Sequence, residues 1–225
     1  MATKSVVRFE MMDELLTNLG GVSPNRVRMT PTPGTATVRD VARLLDRQKR
    51  KFELVDGTLV EKIMGLQESV IAIELAFILK QWNRDAGNLG MLAGADGPFH
   101  LMKKLVRIPD VSFTNWDRLP NRKVPTEPVP SVNPDLAVEV LSEGNTRLEM
   151  ERKLKEYFLS EIEVVWLIDP KKRTVRVYTS PDDMTELTAA DTLTGGDVLP
   201  GFSVPVAQLF GDLEAPPKPK TKKKR

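Results

Sequence analysis

With 225 residues, 40% hydrophobic and 28% charged positions and a formal net charge of +2, the chain has the make-up of an ordinary globular protein. It has no cysteine and one histidine, His100, which excludes disulfides, thiolate metal sites and His-rich zinc sites, so hydrolytic chemistry must rest on carboxylates and lysines. No apolar run approaches the roughly 20 residues that span a bilayer, and the N-terminus lacks a signal-peptide core, which fits a cytoplasmic protein with no membrane partner.

Phe9 to Leu19 has helical spacing of apolar residues, and a Pro-rich connector follows Gly20-Gly21, so residues 1–36 read as an N-terminal arm. Thr37 can cap a helix over TVRDVARLLDRQ. FELVDGTLVEKI splits into two β-rich runs at Asp56-Gly57, a hairpin signal because both turn positions need positive φ. Glu53 and Glu61 flank that turn. Gln67 to Asn83 predicts a long helix with a wide apolar face, of the kind that packs across a sheet. Leu89 to Gly94, Pro98 to Met102 and Val106 to Phe113 read as strands, the last carrying Asp110 among apolar neighbours. Asn115 to Val132 is polar and Pro-rich, a surface loop.

From Pro134 to Pro170 the pattern is strand, helix, strand. Pro134 to Leu141 is an apolar run of the type covered on both faces, interrupted by Glu139. Thr146 and Glu149 have capping-box spacing, so a helix starts there. Lys153, three residues after Met150 and four before Tyr157, lies on the stripe that faces the sheet. Glu163 to Asp169 is a second buried-type strand, and Thr174 to Thr179 alternates like a half-exposed one. GGDVLPGF reads as turn rather than element, and VPVAQLF as a short helix. Residues 214–225 read as a disordered basic tail, either a loose hold on polyanions or a solubilising end. The whole predicts an α/β (α+β) domain over residues 37–213, a mixed sheet flanked by helices.

Three residues break the apolar logic: Asp110, Glu139 in the strand expected to pair with it, and Lys153 on the next helix. A buried unpaired charge costs several kcal/mol, so each needs a partner, a metal or water. Two neighbouring carboxylates can hold one Mg²⁺, which acidifies a bound water and offsets charge on a scissile phosphate. A lysine nearby can orient the attacking water or neutralise the transition state. A structural ion cluster is the other reading of the same residues.

These pieces resemble the Uma family of restriction endonucleases, within the PD-(D/E)XK nuclease superfamily. The resemblance rests on FELVDGTLVEK, VRIPDVSF, PDLAVEVLS, RKLKEYF, VVWLIDPKKRTVRVYTS and DTLTGGDVLPGFSVPVAQLF, in that order. It implies a restriction-endonuclease-like core and a metal-dependent endonuclease acting on DNA, with Mg²⁺ or Mn²⁺ as cofactor and a homodimer as the assembly. Carried over by residue, Asp110 and Glu139 are the metal carboxylates and the carbonyl of Val140 is a further ligand. The superfamily's usual lysine position is Leu141 here, and Lys153 matches a lysine moved to the following helix. Glu61 matches a frequent family acid. Many members carry a His-Gly pair after the first hairpin, where this chain has Gly65-Leu66-Gln67-Glu68. A catalytically silent nucleic-acid-binding or assembly module on the same fold is the alternative.

Overall fold

The computed structural model describes residues 9–47 and 50–215; the basic run from Pro216, read as a loose hold on polyanions or a solubilising end, lies outside them. In chain order, α1 (Met12–Asn18) leads through a 3-10 turn to β1 (Val27–Arg28), and α2 (Val38–Arg47) precedes the hairpin of β2 (Phe52–Val55) and β3 (Thr58–Glu61). Then come α3 (Leu66–Asp85), β4 (Gly90–Gly94), β5 (Phe99–Met102), β6 (Leu105–Arg107) and β7 (Val111–Asn115). The chain continues through β8 (Leu136–Val140), α4 (Arg147–Leu159), β9 (Val164–Asp169), β10 (Thr174–Tyr178) and β11 (Met184–Leu187). It closes with β12 (Thr192–Gly195), β13 (Leu199–Pro205) and a 3-10 helix, Val206–Leu213. None of the helices described is long and apolar enough to cross a membrane.

The central sheet has six strands in the order β11-β10-β9-β8-β7-β4, and only the β8/β9 pair is parallel. A crossover helix must join a parallel pair, and α4 is that helix. Alternation along β8 sorts its side chains. Leu136, Val138 and Val140 face α3, where they pack with Ile71, Leu75 and Leu79. Ala137 faces α4, with Met150, Leu154 and Tyr157. Period two therefore sends Glu139 to the α4 side. Helices thus cover both faces, as the sequence predicts.

A second, antiparallel sheet, β1-β3-β2-β6-β5, packs on the same side of the central sheet as α4, with Phe99, Leu101 and Leu105 in one core with α4 and Ala137. Its hairpin turns at Asp56 (φ 49°) and Gly57 (φ 77°), the two positive-φ residues that the sequence requires. That two-residue turn fixes the register Phe52↔Glu61 and Glu53↔Val60.

Two expectations are corrected. The run Val106 to Phe113 is not one strand: it breaks at Pro109, leaving β6 in the second sheet and β7 in the central one. Proline has no N–H for a ladder, and the break carries Asp110 from one sheet to the other. GGDVLPGF is part of the β12/β13 hairpin, whose Leu193, Leu199, Phe202 and Val204 are buried in the core of α3's face. Within residues 1–36, Leu15, Leu19, Val22 and Val27 are buried against Val55 and Val60.

Candidate active site

Asp110 stands just before β7, braced on β8. Its N–H donates to Val138 O at 2.9 Å, and its Oδ2 accepts from Val140 N at 2.7 Å. Its Oδ1 makes no directed hydrogen bond, but lies 2.8 Å from Lys62 Nζ. Glu139 meets the same ammonium through Oε2 at 3.1 Å. Its Oε1 accepts from Lys153 Nζ at 3.1 Å and from Tyr157 Oη at 2.5 Å. The structure thus brings together Asp110, Glu139 and Lys153, the three residues singled out from sequence. Each carboxylate residue is only 4% exposed.

The cluster extends further than the sequence reading saw. Glu53, fully buried, accepts from Ile108 N at 3.1 Å, pairs with Arg107 Nη1 at 2.6 Å and lies 3.2 Å from Lys153 Nζ. Arg107 also pairs with Glu156 on α4. Lys62 donates to the Ile108 carbonyl. Glu61 does not join them. It sits across from Phe52, on the hairpin face opposite Glu53, and its carboxylate is bound by Arg50. Glu53 and Lys62 were findable: a two-residue turn places residues 53, 60 and 62 on one face and 52 and 61 on the other.

Charge decides the protonation states. Burial works against ionised Glu139, but Lys153 and Lys62 outweigh it and hold its carboxyl below the ordinary range. Glu53 is likewise desolvated, and Lys153, Arg107 and Lys62 pull it well below that range. Asp110 goes the other way: burial, helped by the Glu139 charge, pushes it up against the opposing pull of Lys62. Burial disfavours the Lys62 charge, yet Glu139 and Asp110 more than compensate and raise it. Tyr157 is raised well above its ordinary value by burial and by Glu139, so it stays a hydrogen-bond donor.

Among the described residues no three His, Asp or Glu side chains are grouped to hold a metal. The oxygens that do converge are Asp110 Oδ1, Glu139 Oε2 and Ile108 O, all hard donors already gathered round one cation, the Lys62 ammonium. That donor chemistry fits a hard divalent ion. Val140 adds a carbonyl that points to the same side as its N–H, toward Asp110. A cleft of about 180 Å³ lined by Arg50, Lys51, Glu61, Met64 and Ala95 reaches Lys62. A larger groove of about 820 Å³ runs between the N-terminal ends of α3 and α4, past Arg147, Lys171 and Arg176, and is not lined by the acid pair.

A mixed sheet with a βαβ unit, with two carboxylates and a lysine gathered on the side that α4 covers, defines a restriction-endonuclease-like α/β protein. The family model described as "Putative restriction endonuclease" (Uma2) matches residues 38–207, and the chain belongs to that family. A crystal structure of "a putative nuclease belonging to DUF820" from Anabaena variabilis has a TM-score of 0.62 and 19% identity, covering 71% of this chain and 89% of that one. At that identity the likeness is one of fold. No curated protein matches the chain. Family membership supports a nuclease.

Proposed function

We propose that the chain is a divalent-metal-dependent endonuclease that hydrolyses phosphodiester bonds of DNA. The observation that carries this reading is the convergence of Asp110, just before β7, and Glu139, in β8, on one cation position 2.8 and 3.1 Å away. Asp110, Glu139 and the carbonyl of Val140 would hold Mg²⁺ or Mn²⁺, which when bound supplies an acidified water and neutralises charge on the scissile phosphate. The rest falls to the protein's own groups. Val140 N–H fixes the Asp110 carboxylate, and Tyr157 Oη fixes Glu139. Lys153, held between Glu139 and Glu53, lies beside the acid pair, where it would stabilise the developing phosphorane. Glu53, rather than Glu61, is the hairpin's contribution to this site.

Supercoiled plasmid incubated with wild type and Mg²⁺ should be nicked, and the Asp110→Ala/Glu139→Ala double variant should leave it intact. Wild type with bound metal and no turnover on single- or double-stranded DNA would sink the reading. One observation favours the silent-module alternative: Lys62 and Lys153 already neutralise the acid pair. That reading expects no metal binding by either protein.

The homodimer also has a surface to form through. Leu66 (83% exposed), Ile73 (71%) and Phe77 (58%) make one outward stripe on α3 with half-buried Val70 between them, at four-three-four spacing. Sedimentation should show a dimer that Ile73→Asp/Phe77→Asp converts to monomer; a monomeric wild type removes the assignment.

A further inference from the structure

Lys62 closes the FELVDGTLVEK stretch, and the resemblance gives it no role, yet the acid pair is fastened to it. It follows β3 directly, and its N–H still bonds Lys51 O at 2.9 Å, so the hairpin dictates where the side chain enters. That side chain is 7% exposed. Its ammonium is shared by Asp110 Oδ1 at 2.8 Å, Glu139 Oε2 at 3.1 Å and the Ile108 carbonyl. Three oxygens, two from the β6–β7 link and one from β8, therefore define a single cation seat, and a lysine of the chain itself fills it.

The seat is the one a divalent ion would need. Mg²⁺ binds oxygens at about 2.1 Å, so the same donors would close by under about 1 Å around it. Two cations about 3 Å apart in a poorly hydrated site repel by several kcal/mol, so ammonium and metal are mutually exclusive there. Lysine suits an exchangeable occupant, because its charge is a point on a flexible four-carbon stem rather than a planar fork locked by paired hydrogen bonds. The polar cleft beside it, bordered by Arg50, Lys51, Glu61, Met64 and Ala95, gives the displaced head a way out.

We propose that Lys62 is a built-in competing cation: it holds Asp110 and Glu139 together in the metal-free protein and must swing out of the seat before a divalent ion binds. The inference deepens the metal-dependent reading above and rests on it. It predicts metal affinity weakened by an internal competitor, and a lysine whose accessibility reports occupancy of the site.

The test uses the full chain and Mn²⁺. Calorimetry gives the Mn²⁺ affinity of wild type and of Lys62→Met. Amine acylation read by mass spectrometry gives the exposure of Lys62 with and without Mn²⁺, Lys80 and Lys155 serving as internal references. Expected are several-fold faster acylation of wild-type Lys62 in saturating Mn²⁺, with the references unchanged, and at least about tenfold tighter Mn²⁺ binding by Lys62→Met. Binding by Lys62→Met alone also supports the inference and shows the wild type held shut by its own lysine. Wild type that binds Mn²⁺ with Lys62 as protected as before, or a variant that binds no tighter, overturns the inference and leaves the nuclease reading standing. Binding by neither protein overturns both. Should Lys62→Met fail to fold, the acylation of wild type decides alone.

Discussion

Two buried ion clusters in this molecule are built differently. Arg26 clamps Glu149 through both guanidinium nitrogens, at 2.7 and 2.9 Å, and its Nε donates to Glu61 O at 2.9 Å. Each charged group there has partners in fixed geometry, and the pair ties the N-terminal segment to the first turn of α4. The Lys62 seat instead spreads one ammonium over three oxygens, and Asp110 Oδ1 is left without a directed hydrogen bond. Arginine with a paired carboxylate is a fastener, because its planar fork fits two oxygens at once. A lysine among unevenly satisfied carboxylates is a site whose occupant can change. The clamp also explains why the capping box at α4 is half formed: Thr146 Oγ1 accepts from Glu149 N at 3.0 Å, but the Glu149 carboxylate is drawn away to Arg26.

The comparison breaks most sharply under substitution. Asp110→Asn should cost roughly 10³-fold or more in plasmid cleavage, the scale of losing a group that works only in the transition state. Its Tm should move little, since burial already favours the neutral form of that side chain. Arg26→Ala should do the reverse. Stranding Glu149 in the interior costs about 3–5 kcal/mol, or roughly 10 °C in Tm for a chain of this size. Cleavage per folded molecule and Mn²⁺ affinity should be unchanged. A loss of metal binding in Arg26→Ala would show that the two clusters act as one.

Acid and alkali should sharpen it next, through the carboxylates and the lysine of the site cluster. Glu53 and Glu139 have folded-state pKa values below their unfolded ones. Their stabilisation is therefore present above about pH 4.3 and is lost as pH falls through the depressed values. Lys62 is raised, so its contribution is complete below about pH 10.4 and disappears as pH climbs through the folded value. Asp110, also raised, acts oppositely to the glutamates and softens the acid limb. Thermal melts should be flat through neutrality and fall by roughly 5–10 °C toward pH 3 and again above pH 10.5. In Lys62→Met the alkaline fall should shrink; an unchanged alkaline limb would place its origin elsewhere.

Much of the architecture was legible because it followed local rules. The Asp56-Gly57 turn, the Thr146 cap, the apolar face of α3 and the buried run of β8 each announce themselves within a few residues. Asp110, Glu139 and Lys153 were visible as charges where the pattern demanded apolar side chains. The change of sheet at Pro109 was not, because Val106, Ile108, Val111 and Phe113 read locally as one β-rich run and pairing partners are set by tertiary contacts. Arg107 and Glu156 were hidden for a related reason: each looks like an ordinary surface charge until the second sheet covers it.

The smallest expected effect separates the two glutamates of the hairpin. Resemblance points to Glu61, while geometry points to Glu53, and the two-residue turn puts them on opposite faces. Glu61 pairs with Arg50, itself more than half exposed, an arrangement worth about 0–1 kcal/mol. Glu61→Gln should therefore shift Tm by at most a few degrees and leave Mn²⁺ affinity and cleavage where they were. Glu53→Gln removes a buried charge on which both Arg107 and Lys153 rely, and should cost stability and cleavage together. If Glu61→Gln instead weakens Mn²⁺ binding with Tm intact, the acid reaches the metal after reorganisation of the Arg50 pair. The seat defined by Asp110, Glu139 and Ile108 would then be the closed form of a larger site.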